Sequence, residues 1–281
     1  MKTNKYILWG MTKSTLIHVF LMSVALSCLF PIFWMIRCAF MTNATVFVDK
    51  ALIPQHLFLG NFAIAWTKGN FAVYFLNSII YTVCVVAGIV LIASLAAYSF
   101  SRLNFPGKNI IFYLFVAAMM IPLPGSFVAL FVLMNKLHLV NTRVGYVLCM
   151  INVGLSMSIL LLKTFFDKMP SDLEDAARID GCGKLGIWWH VALPMARPAI
   201  AVIIIFNSLT VWNEYILATL LLGDSQLMPL QRGLMVFQGA NSIDYPVLMA
   251  GLTMAAVPII MVYLFMQKYI VKGLSSGEVA G

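Results

Sequence analysis

Long apolar runs alternate with short polar segments along most of the chain, and this pattern predicts membrane spans. The predicted spans are residues 16–36, a run within 70–101, and residues 110–134, 144–162, 199–222 and 247–266. A helix rises about 1.5 Å per residue, so each run can cross a hydrocarbon core about 30 Å thick. Because backbone groups in lipid must be hydrogen-bonded within the segment, we expect an all-α integral membrane protein with six transmembrane helices. Pro122 and Pro124 lack backbone donors and predict a kink or break in the third span.

One stretch departs from this pattern. Residues 170–194 read PSDLEDAARIDGCGKLGIWWHVALP, a polar, helix-forming segment between two predicted spans. Ser171 and Glu174 have the spacing of a capping box, Gly181 stands where a first helix would end, and Pro194 where a second would stop. The apolar face of the second helix is expected to consist of Leu185, Trp188, Trp189 and Ala192. So short a first helix is marginal alone in water, which predicts that the hairpin leans on the ends of the chain's own spans or on another protein.

The same stretch resembles the cytoplasmic coupling-helix loop of ABC importer permease subunits. The family pattern is Glu-Ala-Ala, three residues, Gly, nine residues, Ile, one residue, and Leu-Pro. The corresponding residues here, with the carboxylate that precedes them, are Glu174, Asp175, Ala176, Ala177, Gly181, Val191, Leu193 and Pro194. Asp175 replaces Glu and Val191 replaces Ile, and we expect the neighbouring Glu174 to keep a carboxylate on the exposed side. The resemblance implies that this loop contacts a separate ATPase subunit; an ordinary amphipathic hairpin is the alternative.

The composition supports the membrane class and bears on orientation. The chain is 62% hydrophobic and 10% charged, with a mean hydropathy of +0.95, whereas soluble domains are about a quarter charged. If the N-terminus is cytoplasmic, twelve of the 18 Lys and Arg residues fall on the cytoplasmic side, as topology rules favour. We therefore expect both termini and the 170–194 loop in the cytoplasm, with the protein in a bacterial cell (inner) membrane. The net charge of +8 then reflects topology and attraction to lipid headgroups rather than nucleic-acid binding.

The sequence carries no recognisable catalytic or metal-binding motif. The five cysteines and four histidines are scattered without disulfide or metal-ligand spacing. No P-loop is present, because Leu185 follows the 181–184 run where Ser or Thr would be required. We therefore expect no enzymatic activity in this chain, and we expect ATP-driven work to require a separate motor subunit. An integral-membrane enzyme would need nucleophile, base or metal ligands that converge at one membrane face.

A group of polar residues lies within the predicted fifth span. Its members, which we take as a candidate translocation path, are Asn207, Thr210, Asn213 and Glu214. An ionisable side chain at membrane depth costs roughly 2.5 kcal/mol or more and is expected to face the bundle interior or water. The group could line a solute path, bond to a partner span, or hold the bundle together, and these three interpretations remain open. The Trp-Asn-Glu-aromatic run at 212–215 also resembles the fifth span of carbohydrate-importing permeases.

The C-terminus shows a second resemblance. Residues 272–281, KGLSSGEVAG, are similar to the short Gly-rich tail of the maltose-type permease subfamily, although Ala280 departs from the common Lys. In that subfamily the tail reaches toward the ATPase pair, which implies that Gly277 and Gly281 are candidate ATPase contacts; a frayed terminus is the alternative. The expected organisation is an N-terminal transmembrane helix and external loop over 1–69, an ABC type-1 transmembrane permease domain over 70–267, and a cytoplasmic tail over 268–281.

The resemblance as a whole implies the type I permease fold of a carbohydrate ABC importer. It implies alternating access driven by a separate ATPase that binds ATP and Mg²⁺, and this chain itself is expected to hold no cofactor. The implied partners are a second permease of the same fold, two ATP-binding subunits, an external solute-binding protein, and a sugar or sugar-like solute such as an oligosaccharide, a polyol or glycerol phosphate. A self-sufficient secondary transporter or channel is the alternative, although six spans without repeats lack the usual inverted halves.

Overall fold

The computed structural model describes residues 2–54, 56–68, 70–120, 123–237 and 243–275. Within these ranges the regular structure is helical, which confirms the predicted all-α class. The chain divides into two compact units, Met1–Gly69 with Val236–Met254 and Asn70–Met235 with Ala255–Gly281.

The first unit begins with a long helix, α1, over Lys2–Ala39 and also contains α2 over Gly60–Lys68. Arg37, in the last turn of α1, is 3% exposed and forms hydrogen bonds with the backbone of the segment that connects α1 to α2. Its Nε donates to Ala51 O at 2.7 Å and its Nη2 donates to Asp49 O at 2.7 Å. The fork of the guanidinium can make both bonds at once, so one side chain orders the connection that follows the first apolar run.

The second unit contains most of the remaining helices. They are α3 Phe71–Arg102, α4 Lys108–Ala118, α5 Leu123–Lys136, α6 Arg143–Asp167, α7 Asp172–Ile179, α8 Lys184–Ile187, a π-helical turn Trp188–Ala192, α9 Leu193–Met195, α10 Arg197–Asn213, α11 Ile216–Leu221 and α12 Leu230–Gly233. The last helix, α13, spans Tyr245–Ser275. The core lies largely between α3 and α6, where the fully buried rings of Tyr81 and Tyr146 meet edge to face with centroids 4.7 Å apart.

Helix α10 approaches α6 closely at Gly154. A Cβ atom at this position would lie 2.0 Å from Oδ1 of Asn207 and 2.6 Å from Cδ1 of Ile89. Only a residue without a side chain leaves room there, and the space is filled by the buried amide of Asn207. Asn207, one of the polar residues of α10, therefore contributes to the packing of α10 against α6.

Four helices of the described chain are long and apolar enough to cross a membrane: Ser14–Ala39, Phe71–Arg102, Arg143–Asp167 and Tyr245–Phe265. A fifth is present if Lys184–Met195 and Arg197–Asn213, which meet at 77°, are counted as one span. These agree with the predicted first, second, fourth and sixth spans. The count of six stays a prediction.

The predicted third and fifth spans are not single helices. The third consists of two shorter helices, α4 with 11 residues and α5 with 14, and Pro124 lies in the first turn of α5, just after the break. Pro122 itself lies outside the described residues. The continuous helix predicted over 199–222 is wrong, because α10 ends at Asn213 and the chain resumes as α11 at Ile216.

Candidate functional site

The first helix of the predicted hairpin, α7, has eight residues and three acidic side chains in its first turn. Acidic groups at this end interact favourably with the helix dipole. The predicted capping box is wrong. Ser171 has helical angles, φ −66° and ψ −30°, and within the described chain its side chain makes no capping hydrogen bond. The reason is that Glu174 points toward Arg102 instead of returning to the backbone of Ser171.

Gly181 ends α7 as the sequence predicted. Its φ is +84°, in the left-handed region that side chains avoid. Gly181 N donates to Arg178 O at 3.0 Å, and Cys182 N donates to Ala177 O at 2.9 Å. This pair of bonds is a Schellman motif, which satisfies the last carbonyls of the helix and fixes the direction of the chain into the second half of the hairpin.

Glu174 is buried rather than exposed, so that part of the prediction is wrong. It is 3% exposed, and its Oε1 lies 3.0 Å from Nε of Arg102 at the end of α3. The exposed carboxylate belongs to Asp175, which accepts a hydrogen bond from Nη1 of Arg178 at 2.6 Å. The two adjacent acids therefore face different environments, one toward the spans and one toward solvent.

The second half of the hairpin continues past the predicted stop. Leu193 N donates to Trp188 O across the π-helical turn, and Pro194 lies inside the short helix α9. The wider π-turn shifts the hydrogen-bond register, so the missing donor of Pro194 does not end the helix. The chain instead turns after Met195, with the 77° bend into α10.

The predicted apolar face of this segment is only half correct. Trp188 and Ala192 are buried, but Leu185 is 71% exposed and Trp189 58% exposed. Val191 and Leu193 are partly buried against the core. We use the name outer face for the exposed apolar side chains of the hairpin, which are Leu173, Ile179, Leu185 and Trp189. Ile179 is 86% exposed, so this face has no cover within the described chain.

Glu214 lies in the break between α10 and α11, not in the middle of a helix as predicted. Its backbone is extended, with φ −75° and ψ 130°. Oε1 accepts from Leu217 N at 2.6 Å, and Oε2 accepts from Ala218 N at 3.1 Å and from the hydroxyl of Tyr146 at 3.1 Å. The carboxylate therefore satisfies the first donors of α11 and joins them to α6.

The other three members of the polar group have separate environments. Asn207 is buried, and its Nδ2 donates to Ser158 Oγ on α6 at 3.1 Å. Thr210 and Asn213 are exposed, and each donates to a carbonyl one turn earlier in α10, at 2.9 Å and 2.8 Å. The structure does not bring the four into one stripe, and their assignment to a solute path stays a prediction. Gly277 and Gly281 of the tail lie outside the described residues.

Two residues that the structure shows to be important were missed from the sequence. From the sequence, Arg102 was counted only among the positive charges assigned to the cytoplasmic side, and Tyr146 was not singled out. Their partners, Glu174 and Glu214, lie far away in sequence, so local spacing could not pair them. In the described chain, no group of three or more His, Cys, Asp or Glu residues is arranged to hold a metal ion.

Comparisons with known proteins place these features in context. Residues 88–276 match the family described as "Binding-protein-dependent transport system inner membrane component". The "Probable ABC transporter permease protein YurM" of Bacillus subtilis is 34% identical over 95% of this chain and 89% of its own length. The "Diacetylchitobiose uptake system permease protein NgcG" of Streptomyces coelicolor is 32% identical over 92% and 87%. A solved structure, "a bacterial ABC transporter involved in the import of the acidic polysaccharide alginate", superposes with a TM-score of 0.80 at 25% identity over 93% of this chain and 96% of that chain.

Proposed function

The chain belongs to the family of binding-protein-dependent transport system inner membrane components and has the type I ABC importer permease fold, and on this premise we propose that it is the permease subunit of an ATP-driven importer of a sugar or sugar-like solute. The names of one relative and one structural neighbour, which refer to diacetylchitobiose and alginate, support a carbohydrate and favour an oligosaccharide. The family is a transport component rather than an enzyme family, so this chain carries the solute without changing it covalently.

The outer face of the hairpin is the observation that carries the proposed coupling to a motor. Ile179, Leu185 and Trp189 expose apolar surface on the same hairpin that carries the exposed carboxylate of Asp175. Large apolar and aromatic side chains exposed on a polar segment are typical of a protein contact. The occupant is an ATPase subunit, because the chain has no P-loop and the family needs a source of energy. The hairpin and both termini then lie in the cytoplasm.

The proposed mechanism is alternating access. Two ATPase subunits hold ATP and Mg²⁺, and their closure moves the hairpins of this chain and of a second permease with the same fold. An external binding protein delivers the solute on the opposite side. Thr210 and Asn213, which are exposed on α10 near the break, are the side chains of the polar group that can reach a passing solute. Asn207 is buried in the contact with α6 and contributes to packing.

The test is uptake in proteoliposomes that contain the complete complex of two permeases, the ATPase pair and the binding protein. We expect a labelled oligosaccharide to accumulate only when ATP is present on the side of the ATPase subunits. A matched preparation without the ATPase pair should transport nothing. Accumulation that persists without ATP and without the ATPase pair would show a secondary transporter or channel and would overturn the proposal.

A further inference from the structure

The guanidinium of Arg102 joins three helices at one end of the second unit. Arg102 is the last residue of α3. Its Nη2 donates to two carbonyl oxygens, that of Phe166 at 2.5 Å and that of Met169. Phe166 lies in the last turn of α6, and Met169 lies just after the helix. Its Nε lies 3.0 Å from Oε1 of Glu174 on α7. One side chain thus connects α3, the end of α6 and the first helix of the hairpin.

This set of contacts, which we call the Arg102 clamp, is protected from solvent. The side chain of Arg102 is 17% exposed and that of Glu174 is 4% exposed. Exposed ion pairs contribute little, but a buried charge that loses its partner is strongly destabilising. The planar guanidinium also fixes geometry, because its Nη2 donates to both carbonyls while its Nε forms an ion pair with Oε1 of Glu174. Arg102 therefore determines where α7 lies, and a simple positive charge would not do so equally well.

The clamp does not depend on the outer face. Arg178, the other cation near Glu174, is 59% exposed and lies 3.5 Å from Oε2, so it is the weaker partner. Asp175 points to solvent and makes no contact with Arg102 among the described contacts. The side of α7 that faces the spans and the side available to a partner are therefore separate, and a substitution can alter one while leaving the other in place.

We propose that Arg102 is a positioning residue for transport, which acts through Glu174 to make α7 and the ends of α3 and α6 move as one body. The proposal rests on the proposed function of the hairpin as the contact to the ATPase. Without the clamp, a displacement of α7 would be absorbed by the short connections on either side of it, residues 168–171 and 180–183. With the clamp, the displacement reaches the two helices that form the core of the unit.

The first measurement is amide hydrogen exchange of Asp172–Ile179 in the complete complex. Arg102→Gln removes the charge and the fork, and Glu174→Gln is a milder variant that keeps the shape of the acid. We expect exchange in α7 to become about tenfold faster in Arg102→Gln and to rise less in Glu174→Gln, because local opening follows the contacts that hold the segment. Lys163→Gln is the control, since Lys163 pairs with Asp167 within α6 and makes no hydrogen bond or ion pair with α7 among the described contacts. Unchanged exchange in both clamp variants would overturn the proposal.

The second measurement is the amount of solute imported for each ATP hydrolysed. We expect both clamp variants to retain bound ATPase subunits and ATP hydrolysis, while the ratio of solute imported to ATP hydrolysed falls. The same ratio for Arg102→Lys should lie between those of Arg102→Gln and the wild type. The exchanged pair Arg102→Glu with Glu174→Arg should not restore the ratio, because a carboxylate cannot donate to the carbonyls of Phe166 and Met169. A normal ratio in Arg102→Gln, or full restoration by the exchanged pair, would overturn the proposal.

Failure of the proposed function would have a different signature. Asp175→Arg keeps both residues of the clamp and changes a solvent-facing residue of the hairpin that pairs with Arg178. Normal uptake by Asp175→Arg and by outer-face variants, with unaltered ATPase binding, would show that the hairpin is not the motor contact. A loss of uptake in those variants together with normal coupling in Arg102→Gln would instead reject the clamp alone.

Discussion

The hydroxyl of Tyr146 donates to Oε2 of Glu214 at 3.1 Å and so connects α6 to the break between α10 and α11. The same carboxylate accepts two backbone N–H groups at the start of α11. A carboxyl group within the helix bundle is tolerated because three donors, the Tyr146 hydroxyl and two backbone N–H groups, satisfy its oxygens. Glu214 thus has a structural role whether or not solute passes beside it.

The hydrogen bonds that Glu214 accepts at the start of α11, which we call the Glu214 cap, predict an order of stability among variants. Glu214→Leu removes both acceptor oxygens, and with them three hydrogen bonds, and should lower the free energy of unfolding by about 1–2 kcal/mol, as loss of a helix cap does. Tyr146→Phe removes one hydrogen bond and should cost about 0.5–1.5 kcal/mol. Glu214→Gln keeps one accepting oxygen and should fall between wild type and Glu214→Leu. Thermal unfolding of the purified complex measures the order, and equal stability of Glu214→Leu and wild type would contradict the cap.

The left-handed turn at Gly181 gives a second prediction. Gly181→Val places a β-branched residue at φ +84° and should strain the turn by about 1–2 kcal/mol, uncoupling uptake from ATP hydrolysis while the protein remains in the membrane. Gly183→Val is the matched control, since Gly183 has extended angles, φ −74° and ψ 171°, and free space around its Cβ position. Uptake and membrane content are measured together. Equal uptake by the two variants would remove the turn from the mechanism.

The contact between Gly154 and Asn207 can be tested by compensation. Gly154→Ala puts a methyl group 2.0 Å from Asn207 Oδ1 and should destabilise the bundle by about 1–3 kcal/mol, as overpacking does. Asn207→Ala alone should destabilise it less, because only the bonds to Ser158 and Ile203 are lost. The double variant should be more stable than Gly154→Ala. If it is not, the clash with Asn207 is not what makes glycine necessary at this position.

The outer face of the hairpin predicts a loss of partner binding. Ile179→Ser should reduce the amount of ATPase that co-purifies with the permease by about tenfold, if this residue is a central contact. Val48→Ser is the control, because Val48 is an apolar residue that is 77% exposed and belongs to the first unit, whereas the hairpin belongs to the second. Pull-down with a tagged ATPase measures both. Undiminished binding by Ile179→Ser would place the motor contact elsewhere.

Orientation is tested by cysteine labelling in intact cells. Cysteines introduced at Asp172 and Asp224, both exposed, should react differently with a reagent that cannot cross the membrane. We expect Asp224→Cys to be labelled from outside and Asp172→Cys to be labelled only after the cells are opened. External labelling of Asp172→Cys would reverse the topology and with it the proposed motor contact.

Some features were predictable from the sequence because their cause is local. Apolar runs marked the four long spans, the proline pair marked the break in the third, and Gly181 marked the end of α7. The rest depended on partners distant in the chain. Glu174 has the spacing of a capping residue, but the buried ion pair with Arg102 takes it away from Ser171. A polar residue inside an apolar run looks the same whether the helix continues or breaks, so the extended backbone of Glu214 could not be foreseen.

The bend after Met195 determines how motion would pass through the chain. The segment Lys184–Met195 meets Arg197–Asn213 at 77°, close to a right angle, at the fully buried Ala196. A displacement along the axis of the first segment is then almost perpendicular to α10. It would rotate α10 sideways rather than translate it along its own axis. A sideways swing of this kind opens and closes a gap beside α10 without sliding its polar residues along the helix axis.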